Sequence, residues 1–75
     1  MKDQIAEIVK LCLEITVNTQ HDVFFEYSAH INEIEVRIHK NGWESQKDWE
    51  SLGCDLDRSS EEDLNEIIEQ LQELL

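Results

Sequence analysis

Three histidines, two cysteines and an acid-rich stretch are the side chains of this sequence that could do chemistry. His21, His30 and His39 stand nine residues apart, whereas two imidazoles share a helix face for metal only at three- or four-residue steps. Cys12 and Cys54 belong to no paired motif, and each falls at an apolar position of a regular pattern. Both are therefore expected as free buried thiols, in neither a disulfide nor a zinc site. Cys12 as a nucleophile would need its thiolate, which an apolar stripe disfavours. Asp55, Asp57, Ser59, Asp63 and Glu66 match positions one, three, five, nine and twelve of a calcium loop. Two departures count against that loop: Ser60 replaces the glycine of position six, and the residues before Asp55 alternate like a strand. A capped, acidic helix start is the plainer account, with carboxylates favoured at the positive end of the helix dipole. Phosphate-binding glycine loops and nucleophile elbows are absent. These residues specify no reaction, so the expectation is a non-enzymatic protein with no metal and no cofactor.

The stronger candidates are surfaces. Glu62, Glu66, Glu69 and Glu73 are separated by four, three and four residues, which aligns them along one side of a helix at steps of about 4.5–6 Å. A DNA strand places a charge about every 3.4 Å, so the row is sparser than phosphate but of the same sign. Such a face suits competition for a basic or nucleic-acid-binding surface of another protein. A face that serves only solubility is the rival account. Phe24 projects opposite Val23 and Phe25, and with Trp43 or Trp49 it could seed a binding patch or a homodimer contact, since exposed aromatics anchor interfaces. Core-edge packing explains the same residues.

Net charge sharpens the choice of partner. The chain carries −12 over 75 residues, and from Glu44 onward eleven acids face only Lys47 and Arg58. Repulsion disfavours direct binding to nucleic acid or to an anionic membrane, and a partner should present basic surface. Charged residues interrupt the first twenty positions, and no segment reaches the ~20 apolar residues of a membrane span, so a cytoplasmic protein is expected. Proline is absent and Gly42 and Gly53 are the only glycines, which leaves no linker composition. Residues 1–75 read as one domain, burying about 60–65% of its unfolded surface.

The elements that must position these surfaces follow from periodicity. Ile5, Ile8, Val9, Cys12, Ile15 and Thr16 form one stripe of a helix over 2–18, with Leu11 and Leu13 off the stripe. Val23, Phe25 and Tyr27 then alternate with Phe24, Glu26 and Ser28 as a strand with one buried face. Ile34, Val36 and Ile38 alternate with Glu33, Glu35, Arg37 and His39 as a second. Ala29 to Asn32 is of hairpin length, and Asn41-Gly42 forms a turn. Leu52, Cys54 and Leu56 mark a third strand over about 50–57. Ser59 and Glu62 match a capping box opening a last helix, whose seam is Leu64, Ile67, Ile68, Leu71, Leu74 and Leu75. The expected class is α+β: a three-stranded antiparallel sheet with an N-terminal and a C-terminal helix on one face, in the order α-β-β-β-α.

The stretch from Phe24 to Asn32, continuing through Ile34-Glu35-Val36-Arg37-Ile38 to Asn41-Gly42-Trp43, resembles small uncharacterised proteins encoded by phages and prophages of Gram-positive bacteria. In that group an aromatic strand leads into a Ser-x-His-hydrophobic-Asn turn, an alternating strand and a Gly-Trp pair. The resemblance covers about a third of the chain. It implies an accessory role in phage growth or lysogeny through binding a host or phage protein, and singles out Ser28, His30, Asn32, Gly42 and Trp43. Turn architecture and core capping account for the same residues without any partner.

Overall fold

The change from a three-four period to a period of two falls where the first helix gives way to the first strand. A computed structural model describes residues 1–41 and 49–75, ordering them as α1 (Lys2–Asn18), β1 (Asp22–Ser28), β2 (Glu33–His39), β3 (Glu50–Asp55) and α2 (Glu61–Gln72). Gly42 and Trp43 lie outside the described residues. The strands form an antiparallel sheet in the order β1-β2-β3, with Phe25 opposite Val36 and Val36 opposite Leu52. α1 packs on β1 and on α2, and α2 touches β3 more lightly, so both helices cover the same face. This is the expected α+β arrangement.

Every second residue of β2 points into the core: Ile34, Val36 and Ile38 are buried, and they meet Ile8, Leu11, Cys12 and Ile15 of α1 and Leu64, Ile67 and Leu71 of α2. Polar contacts fix how α1 turns into β1. The Thr16 hydroxyl accepts from the Val23 N–H at 3.0 Å and lies 3.4 Å from the Val23 carbonyl. Thr19 donates its hydroxyl to the Ile15 carbonyl at 2.6 Å and accepts from the His21 N–H, closing the helix end. At the far end the amino terminus sits 3.4 Å from Glu61, so α1 and α2 begin side by side and run in the same direction.

Several details differ from the sequence reading. In α1 Leu11 is buried while Val9 is 44% exposed, because the helix contacts both β1 and α2 and its buried arc is wider than one stripe and rotated from it. Tyr27 is exposed: its hydroxyl donates to Asn32 Oδ1 at 2.8 Å and does not enter the core. β3 ends at Asp55, since the Asp55 carbonyl accepts from the Arg58 and Ser59 N–H groups and turns the chain toward α2. The capping box is built one residue later than expected, with Ser60 as cap and Asp63 as its partner. Ser59 is instead engaged through its hydroxyl by the Asp55 carbonyl at 2.7 Å. α2 closes at Gln72, leaving Leu75 beyond it and exposed.

Asn32 ties this end of the sheet together. It holds φ at 50°, a left-handed conformation that asparagine tolerates better than most residues. Its amide donates to Asp57 Oδ1 at 2.9 Å, and its carbonyl accepts from the Leu56 N–H. Asn32→Ala is expected to cost about 2 kcal/mol, part from backbone strain and part from two exposed side-chain hydrogen bonds, and Asn32→Gly about half that. Urea unfolding of the two variants checks the ordering, and equal losses would contradict it.

Candidate functional site

α2 is the element that separates the acidic row from the core. At 100° per residue the seam of Leu64, Ile67 and Leu71 lies opposite Glu62, Glu66, Glu69 and Glu73, and all four glutamates are exposed. Among the described residues none of the four is in an ion pair. Lys10, Arg37, Lys40 and Arg58 are held by Glu14, by Glu26 and Glu35, by Glu50 and by Asp55 respectively. Among the described residues the row is therefore a field of like charge with no counter-ion, at a cost of a few tenths of a kcal/mol per neighbouring pair.

The outer face of the sheet is of a different kind. Phe24 is 42% exposed, with the Arg37 guanidinium 5.8 Å from its ring centre and His39 edge-on at 5.3 Å. His39 in turn lies 5.4 Å from Trp49, so the aromatic patch anticipated around Phe24 is completed by Trp49. Charges on this face are partly paired, because Arg37 reaches both Glu26 and Glu35 and Ser51 donates to Glu35. Of the turn residues singled out by resemblance, Asn32 is structural as described above, its side-chain partners being Tyr27 and Asp57.

Between β3 and α2 runs a groove that periodicity did not reveal. Its main part encloses about 320 Å³ between Ser51–Cys54 on the strand and Asp63, Glu66, Ile67 and Gln70 on the helix. A smaller hollow of about 100 Å³ continues it past Gln70 to Glu73 and Leu74. Gly53 was the one signal available in the sequence, since an isolated glycine in a strand marks close backbone approach. A Cβ there would lie 3.0 Å from the Ile34 carbonyl oxygen, so glycine lets β3 sit close against β2.

Four of the five residues matching a calcium loop are engaged within the protein, Ser59 through the Asp55 carbonyl as described, and among the described residues Glu66 is the exception. Asp55 Oδ1 accepts from the Asp57 N–H, Asp57 Oδ1 from Asn32, and Asp63 caps α2 through the Ser60 N–H. Among the described residues no three His, Cys, Asp or Glu side chains converge as a metal site, and no helix is long and apolar enough to cross a membrane. Both cysteines are free; Cys54 is half-buried, and burial pushes the Cys12 thiol from near 9 up to about 11. Comparison with protein-family models, curated proteins and solved structures gives no match to this chain.

Proposed function

We propose that this is a non-enzymatic, phage-type accessory protein of the bacterial cytoplasm that binds a host or phage protein through the acidic face of α2, competing for a basic or nucleic-acid-binding surface. The observation that supports this reading is the row Glu62, Glu66, Glu69 and Glu73, exposed, opposite the core seam and without a cation from the protein among the described residues. Nothing in the packing of α2 requires those four charges. The immobilised protein should retain basic proteins from a Gram-positive lysate, and the double variant Glu66→Lys, Glu69→Lys should retain them at least about tenfold less. Raising salt should have a similar effect by screening. Retention indifferent to both changes would remove the proposal.

A second reading, a structural homodimer whose acidic face serves solubility, is favoured by one observation. Val9, Leu13 and Val17 recur every fourth residue along the outside of α1 and are 44%, 65% and 70% exposed, an apolar stripe facing away from the core. Sedimentation over a range of concentrations separates the two, because a strict monomer excludes the dimer.

A further inference from the structure

The geometry points to strand addition: we infer that the free edge of β3 takes up an extended, basic segment of a partner protein as a fourth strand, beside the groove under α2. This deepens the proposed function and rests on it. Among the described residues β3 pairs with β2 on one side only. The Leu56 N–H donates to the Asn32 carbonyl, so Leu56 points its backbone toward β2, and by strand alternation Cys54 and Leu52 do the same. Ser51 and Gly53 consequently aim both N–H and C=O at the open edge, in the pattern that an added strand uses. Asp55 fits this phase, since its carbonyl accepts from the turn that leads into α2.

The groove has the dimensions of a strand. From Asp63 to Glu73 along α2 is about 15 Å, the length of four to five extended residues. Its floor offers half-buried Leu52, Cys54 and Leu74 with buried Ile67, which suits apolar side chains at alternate positions. Its lip carries Asp63, Glu66 and Glu73, while on the strand Glu50 pairs with Lys40, which lines the smaller hollow, and Asp55 with Arg58. These charges choose the occupant. A second copy pairing β3 with β3 would set acid against acid, whereas a segment alternating apolar with Lys or Arg residues lays its apolar side chains on the floor and turns its cations to the opposite face of the sheet, beside Glu33, Glu35 and Asp55.

The test uses the whole protein and a soluble peptide of about eight residues alternating lysine and valine. Binding is followed by titration, and the Ser51 and Gly53 amide signals by NMR. Wild-type protein should bind this peptide, shift both amides and slow their hydrogen exchange. The same peptide N-methylated at alternate amides keeps its charge but cannot pair, and should bind at least about tenfold more weakly. Ser51→Pro, which removes an edge donor without touching the β2 ladder, should do likewise. Equal binding of the methylated and unmethylated peptides would overturn strand addition while leaving an acidic docking face intact. Loss of binding in Glu66→Lys with unmoved Ser51 and Gly53 signals in the wild type would also overturn it alone. No binding of either basic peptide, even at low salt, would remove the proposed function as well. Slowed exchange of the edge amides in the free protein, growing with its concentration, would assign the edge to a second copy and overturn the inference.

Discussion

Leu64→Ala should lower the unfolding free energy by about 3–5 kcal/mol, the largest effect expected of any single substitution discussed for this chain. Leu64 is fully buried in the first turn of α2, within the cluster that joins both helices to the sheet. Removing its branched end forfeits the transfer energy of the lost carbons and leaves a cavity whose walls belong to different elements and cannot all collapse inward. A domain of this length has a total stability of only about 4–11 kcal/mol, so the variant should be largely unfolded in mild urea and partly unfolded without it. Far-UV circular dichroism with a urea titration measures the shift. A loss below about 1 kcal/mol would mean that α2 is not docked through this residue.

Stability should also fall at alkaline pH through Cys12. Its thiol is neutral when protonated, and burial raises its folded pKa from near 9 to about 11. Below pH 9 the thiol is protonated in folded and unfolded chains alike, and its full contribution is present. As pH climbs from 9 toward 11 the unfolded chain loses this proton first, so unfolding is progressively favoured, by roughly 2–3 kcal/mol over the interval. Cys12→Val should lose this part of the slope while other groups titrate as before. Denaturant curves of both proteins from pH 8 to 11 make the comparison, and parallel profiles would contradict the assignment. Alkylation at neutral pH should reach half-buried Cys54 well before Cys12.

How far the fold was legible depended on how many neighbours each element has. β2 lies between two strands with helices above it, and its strict alternation translated into three buried and four outward residues without error. α1 ended at Asn18 as its β-branched run implied, but a single-stripe reading of its face misplaced Val9 and Leu11, because two neighbours share that helix. Consecutive serines and acids fit two overlapping capping boxes equally well, and only the bond from Ser59 to the Asp55 carbonyl selects the later one. The acidic row of α2 was legible in full, since it needs nothing beyond helical spacing. The groove was not, because it is made by β3 and α2 together and depends on a strand edge that no local pattern announces.

The order of the strands bears on how the chain reaches this structure. Each strand pairs with its neighbour in sequence, so the β1–β2 hairpin can close over a short loop at little entropic cost. Docking α2 against α1 is the step that joins distant parts of the chain, as the contact of Met1 with Glu61 across 60 positions illustrates. During synthesis α1 and the β1–β2 hairpin are therefore made before the helix that completes their core. Until α2 is available, α1 holds an unfinished apolar face as well as its outer stripe, and the nascent chain is most open to chaperones and to misassociation in that interval.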